Sequence, residues 1–322
     1  MKSSSLSRRT FIRNSALALG AAPFWKATAS LVNPPKRKIL FFSKSSGFEH
    51  SVISYAKGQP SLVEKTLNEI GPKNNWDLTF SKDGSLFSPT YLAQFDAFFF
   101  YTTGDLCSPG TDKQPPMTLA GKQALLDAVA NGKGFIGSHS AADTFHTNNE
   151  AKKGPDRYKN FGAAADPYVR MLGGEFIKHD DQQKAHIRCV DTKFPGMENC
   201  GTGFDKKEEW YSLKDFSDNL HVLLVQETET MKGNEYQRPP YPETWARMHN
   251  KGRVFYTSMG HRDEVWSDAL FREIFCGGMH WVCGNVNADV TPNLNQVAPG
   301  WAQNPPFPTN TKPAAATPEP PK

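Results

Sequence analysis

The chain has 322 residues, of which 38% are hydrophobic and 22% charged, with a formal net charge of +4 and five cysteines. The positive sign comes from residues 1–29, which carry five basic and no acidic side chains; the rest of the chain has a net charge of −1. Because no basic tract remains, nucleic acid is excluded as an expected partner. An odd, sparse set of cysteines without a C-x-x-C pair excludes a disulfide framework and a structural zinc site.

Residues 1–29 are predicted to be a twin-arginine signal peptide. The pair Arg8 and Arg9 precedes a weakly apolar run at 16–24, and an Ala-Thr-Ala cleavage site ends at Ala29. The run is too short to span a bilayer, so no membrane span is expected in the mature chain. We therefore expect a periplasmic or otherwise exported protein that folds before export, as is usual for the twin-arginine route.

The first half of the mature chain alternates strand and helix patterns. Strands are expected at 38–43, 76–81, 95–101 and 134–138, and helices at 61–67 and 118–131. The run 95–101 is almost continuously apolar, which is typical of a strand buried on both faces. The β-α-β-β-α-β order predicts an α/β fold with a doubly wound, mainly parallel sheet of flavodoxin-like type.

The second half is expected to extend this sheet and to cover it with hairpins rather than to form a separate domain. Its strands are expected at 186–191, 220–226, 244–249 and 253–258, and a closing helix at 268–282. One domain is therefore expected over 36–284. The segment 285–322 lacks hydrophobic periodicity and is proline-rich from residue 302, so it is predicted to be a disordered tail.

Three histidines follow predicted strands: His50, His139 and His261. Since ligands of an open parallel sheet bind beyond the carboxyl ends of its strands, these imidazoles are expected to share a site. They would bind substrate there or, as the less favoured interpretation, hold a divalent metal such as zinc with one open position. The alternative for each is a structural histidine bonded to a backbone carbonyl.

Two further motifs contribute candidate binding groups. Thr103 and Asp105 follow the strand at 95–101 and would suit a sugar, although an ordinary Asx turn explains them equally well. Glu209 is followed by two aromatic residues that could stack on a sugar ring, Trp210 and Tyr211. Trp245 is a further stacking candidate or a core residue, and the run His179-Asp180-Asp181 is interpreted as a solvent-facing turn.

A nucleophile is not expected at the turn around His139. The run Gly137-Ser138-His139-Ser140-Ala141 resembles a nucleophile elbow with histidine at the position of the nucleophile. The two serines flank that position, so neither should project from the turn. True amidotransfer, which needs a cysteine there, is therefore disfavoured.

Five ordered motifs resemble those of the ThuA-like (trehalose-utilisation) family over roughly residues 36–284. They lie at 41–50, 102–105, 134–143, 208–211 and 252–261. The resemblance implies a class I glutamine amidotransferase-like fold without the catalytic cysteine, and a role in the metabolism of trehalose, related disaccharides or their 3-keto derivatives. It also implies six site residues, namely His50, Thr103, Asp105, His139, Glu209 and His261. The twin-arginine signal, the tail and an insertion at 148–158 depart from the family.

Together, these observations predict an exported enzyme that acts on a glycoside or keto-glycoside by acid–base chemistry, with a small sugar or glycoside as its partner. His139 would be the acid–base residue and Glu209 its carboxylate partner. The alternative is a non-catalytic periplasmic carbohydrate-binding protein, which would use Trp210, Tyr211 and Trp245 as stacking faces and need no titratable pair.

Overall fold

Eleven strands, seven α-helices and several short 3-10 turns make up the part of the chain that the computed structural model describes, namely residues 36–55, 58–147 and 154–308. The strands are β1 (Arg37–Phe42), β2 (Trp76–Ser81), β3 (Ala97–Phe100), β4 (Gly134–Ser138), β5 (Glu175–Lys178), β6 (Gln183–Cys189), β7 (Gly203–Glu208), β8 (Ser212–Lys214), β9 (His221–Gln226), β10 (Tyr241–His249) and β11 (Gly252–Thr257). The helices are α1 (Leu62–Ile70), α2 (Pro89–Leu92), α3 (Leu119–Ala130), α4 (Pro167–Leu172), α5 (Asp263–Ser267), α6 (Ala269–Val282) and α7 (Leu294–Val297). The predicted signal peptide lies outside the described residues.

Nine strands form one sheet in the order β2-β1-β3-β4-β11-β10-β9-β6-β7. The five strands from β2 to β11 are parallel, and those from β11 to β7 are paired antiparallel. The predicted α/β fold with a mainly parallel sheet is confirmed, and the second half of the chain extends the sheet as expected. Strands β5 and β8 form a separate antiparallel pair.

The sheet is buried on both faces, and β1 shows how its sequence achieves this. Ile39 and Phe41 pack into the core on one face, whereas Leu40 and Phe42 pack into the core on the other. Successive side chains of a strand point to opposite faces, so only an uninterrupted apolar run can fill both cores. This burial makes the central strands a rigid base for the loops at their carboxyl ends.

The sequence analysis does not predict three of the strands, β5, β7 and β8. Their sequences lack an apolar pattern or are very short. The segment after α6 also differs from the predicted disordered tail in its described part, residues 285–308. Leu294 and Ala298 are buried in one of the two cores, and Asn293 hydrogen-bonds to both the N–H and the carbonyl of Val222 on β9. The apolar side chains that attach this segment to the cores are irregularly spaced, so they show no helical or strand periodicity in the sequence.

All five cysteines are free thiols. Within the described ranges, no helix combines the length and apolar composition needed to cross a bilayer.

Candidate functional site

Four loops meet at one edge of the sheet. His50 ends the loop after β1, His139 directly follows β4, and His261 lies four residues after β11. Because β7 runs in the same direction as β11, its end at Glu208 is also at this edge, and Glu209 follows it. The topology therefore gathers residues that are distant in sequence.

The side chains of His50, His139, Glu209 and His261 form what we call the ligand cluster. One potential ligand atom from each lies within 4.8 Å of all the others. Glu209 is central, because its Oε2 is 3.3 Å from Nε2 of His139 and its Oε1 is 3.4 Å from Nε2 of His261. The structure thus brings together all three histidines proposed as metal candidates, together with the predicted carboxylate partner.

His139 is held in one tautomer and one orientation. Its backbone has a φ of 46°, the left-handed conformation expected of a residue at a sharp elbow. Its Nδ1–H donates to the carbonyl of Ser258 at 2.8 Å, and the ring of Tyr211 packs against it with centroids 4.0 Å apart. Its Nε2 is buried, lies 3.3 Å from Oε2 of Glu209 and has no hydrogen-bond partner among the described residues.

Two buried carboxylates shape the loop after β11. Glu243, which is fully buried on β10, accepts hydrogen bonds from the backbone N–H groups of Ser258 and Met259 and from the Ser258 hydroxyl. Glu208 accepts from the backbone N–H groups of Gly260 and Arg262. These bonds fix the carbonyl that orients His139 and the loop that carries His261.

The loop that carries His50 is positioned by Thr103. The Thr103 hydroxyl donates to the carbonyl of Phe48 at 2.8 Å and accepts from the N–H of Gly47 at 3.3 Å. His50 is 3% exposed, and its Nδ1 is a second buried ring nitrogen for which the described part of the chain provides no hydrogen-bond partner. Thr103 therefore supports the site through the loop rather than by contact with the ligand cluster.

The environment sets the protonation states. Burial lowers the pKa of His50 well below its ordinary value, and His139, His261 and His179 lower it further. Burial, followed by His139, lowers the pKa of His261 to about 4, although Glu209 opposes this shift. Burial alone would raise the pKa of Glu209, but its interaction with His139 lowers it overall. Near pH 7, His50 and His261 are therefore neutral and Glu209 is ionised, the states in which these groups bind metal ions.

Several predicted binding residues lie elsewhere. Asp105 caps its own turn by accepting hydrogen bonds from the backbone of Cys107 and the hydroxyl of Ser108. Trp210 and Trp245 are fully buried and donate their indole N–H groups to backbone carbonyls, so neither offers a face to a sugar. Tyr211, only 2% exposed, packs beneath His139 as a wall of the site rather than as an open stacking face.

Two residues at the site were missed by sequence reasoning. His179 lies at the end of β5, with its Nε2 3.6 Å from Oε1 of Glu209 and its ring stacked on Tyr211. The sequence indicates only a solvent-facing turn at 179–181, because the strand before it is too short to be recognised from its sequence pattern. Phe48 is 68% exposed, and its ring packs edge-on against His50. The sequence signal that could have identified Phe48 is its position in a glycine-containing loop, two residues before a candidate histidine.

Two clefts open beside the ligand cluster and share His179. The Glu209 cleft, of about 610 Å³, is lined mainly by polar residues: His179, Asp180, Asp181, Gln182, Gln183, Glu209, Lys232 and Gly233. The Asp143 cleft, of about 640 Å³, has walls that include Asp143, Tyr158 and Phe307. The site therefore combines a buried set of nitrogen and oxygen ligands with polar space of the size that small ligands occupy.

The sequence matches the model of the ThuA family, described as trehalose utilisation, over residues 38–282. Among solved structures, the chain is similar to a ThuA-like protein from Bacteroides uniformis ATCC 8492, with a TM-score of 0.57 and 19% identity, covering 79% of this chain and 94% of that one. It is also similar to a ThuA-like protein from Parabacteroides merdae ATCC 43184, with a TM-score of 0.49 and 16% identity, covering 85% of this chain and 98% of that one. No curated protein matches at a significant level. The fold is the class I glutamine amidotransferase-like fold, and the chain belongs to the ThuA family, which has a carbohydrate-related role.

Proposed function

We propose that this protein is a metal-dependent enzyme that processes a small sugar or glycoside. The observation that carries the proposal is the ligand cluster, in which three imidazoles and one carboxylate converge within 4.8 Å. Two of its buried ring nitrogens, Nδ1 of His50 and Nε2 of His139, have no hydrogen-bond partner within the described ranges. Buried polar atoms normally have a partner, so these two favour a cation as the missing one. Three imidazole ligands, with a carboxylate beside them, suit a divalent ion such as zinc that keeps one position open for chemistry.

In this proposal His50, His139 and His261 hold the cation. A zinc ion held there would supply Lewis-acid chemistry, lowering the pKa of a water and polarising a sugar oxygen. The bond from Nδ1 of His139 to the Ser258 carbonyl is the outer contact that fixes a metal-binding imidazole. Metal binding would occupy Nε2 of His139. The acid–base role predicted for His139 would then belong to Glu209.

Glu209 is suited to that proton transfer. Its side chain is 12% exposed and lines the Glu209 cleft, so it reaches both the histidines and a molecule bound there. Its lowered pKa keeps it ionised and able to accept a proton from a water or from a sugar hydroxyl. In a metal-free enzyme, the His139–Glu209 pair would carry out this acid–base step by itself.

Sugar as the substrate class is supported by the family and by the character of the clefts. Hydroxyl groups need hydrogen-bonding side chains, which dominate the lining of the Glu209 cleft. Phe48, exposed beside His50, provides the open aromatic face that the buried tryptophans lack. The burial of Trp210 and Trp245 weighs against the alternative of a non-catalytic binding protein built on those residues.

Metal analysis combined with an assay of turnover tests the proposal. Freshly purified protein is dialysed against a chelator, its metal content is measured, and trehalose, other disaccharides and their 3-keto forms are assayed before and after zinc is restored. We expect close to one ion per chain before dialysis, turnover of at least one sugar, and loss and recovery of turnover with the ion. Turnover that survives complete removal of metal would reject metal dependence. Acid–base catalysis by the His139–Glu209 pair alone would then explain the activity. Absence of turnover in the metal-loaded protein would favour the binding protein.

We also propose that the protein is exported by the twin-arginine route, as its Arg8-Arg9 motif, apolar run and Ala-Thr-Ala site suggest. In fractionated cells, we expect the wild-type protein outside the cytoplasm and the Arg8→Lys/Arg9→Lys variant inside it. Equal distribution of the two proteins would contradict this proposal.

A further inference from the structure

A second carboxylate, Asp143, lies at the edge of the site and is held by a buried histidine. His146 contacts Asp143 through Nε2 at 2.6 Å and Glu175 through Nδ1 at 2.9 Å. Carboxylate oxygens accept hydrogen bonds, so both ring nitrogens must carry protons and His146 is an imidazolium. Burial opposes this charge, but the bonds to Asp143 and Glu175 raise the pKa of His146 overall.

The other side of this network is also fixed. Glu175 is 1% exposed, accepts a hydrogen bond from the hydroxyl of Thr147 at 2.6 Å, and lies 3.8 Å from Nζ of Lys214. Arg157 lies 3.7 Å from the same Asp143 oxygen that contacts His146. Two cationic side chains therefore face Asp143 and hold its Oδ1 in place.

Asp143 keeps one oxygen free for a ligand. Oδ2 has no hydrogen-bond partner in the described part of the chain, the side chain is 21% exposed, and Asp143 lines the Asp143 cleft. The cleft also has an aromatic wall, in which the rings of Tyr158 and Phe307 are 5.5 Å apart. A fixed acceptor oxygen beside aromatic rings is suited to a sugar, which presents hydroxyl groups along its rim and an apolar face.

The Asp143 cleft is close to the ligand cluster. His139 and Asp143 are the first and last residues of one 3-10 turn. Such a turn rises about 2 Å per residue, which places their Cα atoms about 8 Å apart. His179 lines the cleft and also contacts Glu209. One bound molecule can therefore reach both places.

We propose that the Asp143 cleft is a sugar-binding subsite, in which Oδ2 of Asp143 accepts a hydrogen bond from a substrate hydroxyl and Phe307 packs against the sugar face. Asp143 is the specificity-determining group, and His146 and Glu175 are positioning residues. That the bound sugar is part of the enzyme's substrate rests on the proposed function. Sugar binding at Asp143 can be measured whether or not the protein turns the sugar over.

The test compares Asp143→Asn with wild type, because this change keeps the shape and an acceptor for His146 but replaces the cleft-facing acceptor with a donor. The matched control is Asp205→Asn, at an exposed aspartate that also contacts a histidine, His186. Binding of trehalose and of the disaccharides and 3-keto sugars named above is measured by calorimetry, and KM and kcat are measured for any sugar that is turned over. We expect Asp143→Asn to raise Kd and KM by about 10- to 100-fold, the loss of one hydrogen bond to a charged group, with kcat changed less than about threefold. The control should match wild type.

Phe307→Ala provides an independent second variant, since Phe307 is 42% exposed and its loss should leave the fold intact. We expect it to raise Kd by about 3- to 10-fold. Equal Kd and KM in wild type and both cleft variants would overturn the subsite while leaving a metal-dependent turnover intact. Weakened sugar binding in the variants of a protein without turnover would support the subsite and reject the enzyme. A wild type that binds none of the sugars would overturn the subsite.

Discussion

Replacement of His139 by alanine is expected to abolish turnover and to weaken metal binding by more than about 100-fold. Loss of an outer contact to a metal ligand already costs 10- to 100-fold in affinity or activity, and His139 is proposed as a ligand itself. Its Nε2 lies 3.3 Å from Glu209, so its removal also leaves the proton acceptor without its closest partner. Metal content by elemental analysis, zinc affinity by competition with a chromophoric chelator, and sugar turnover provide the measurements.

His186→Ala is the matched control for this variant. His186 is half exposed on β6 and pairs with Asp205 on the surface. We expect it to retain wild-type metal content and turnover. Thermal unfolding of both variants separates loss of ligand from loss of fold. If a folded His139→Ala protein retained both the ion and the activity, the assignment of the site would be wrong.

Glu243→Ala is expected to destabilise the protein by about 3 kcal/mol or more. The carboxyl group is fully buried and accepts hydrogen bonds from the hydroxyls of Thr244 and Ser258, as well as from the backbone N–H groups of Ser258 and Met259, which also have other acceptors. Each buried donor left without a partner costs about 1–3 kcal/mol. Because the Ser258 carbonyl orients His139, we also expect metal affinity to fall, although the substituted residue is not in the ligand cluster.

Urea denaturation measures this effect, with Glu69→Ala as the control. Glu69 is half exposed and pairs with Arg272 on the surface, where an ion pair contributes about 0–1 kcal/mol. The control should therefore shift the free energy of unfolding by less than about 1 kcal/mol. A similarly small shift for Glu243→Ala would show that the loop after β11 is held by other contacts.

The central strands could be predicted because their composition leaves few alternatives. An uninterrupted apolar run such as the one in β3 can only be buried on both faces, which requires helices on each side and hence a parallel, doubly wound sheet. By contrast, β7 has two lysines and an aspartate within six residues and lies at the sheet edge, so its pattern does not distinguish a strand from a loop. Pairing with β6, a long-range contact, makes it a strand.

The location of the site followed from topology, but its composition did not. Histidines after β1, β4 and β11 had to lie at one edge of the sheet, whichever side chains surrounded them. Which aromatic residues are open depends on packing between distant segments. Trp245 lies on a strand whose first seven residues are all buried, and Phe48 lies on an exposed loop. The alternation of polar and apolar residues that would reveal an exposed face is absent from β10.

The four residues of the ligand cluster come from separate segments of the chain, so an ion could bind them only after folding has brought these segments together. These residues span positions 50 to 261, so they meet only once the chain has closed loops of 51 to 88 intervening residues. An ion bound there would connect both halves of the chain and, at 1,000 times its Kd, add about 4 kcal/mol to the stability of the native state. The unfolded chain has no such site, so metal identity is decided by the ions present where folding is completed. Under the proposed twin-arginine export, in which the chain folds first, that place would be the compartment the protein leaves, and the metal composition of its destination would have little influence on the first ion it carries.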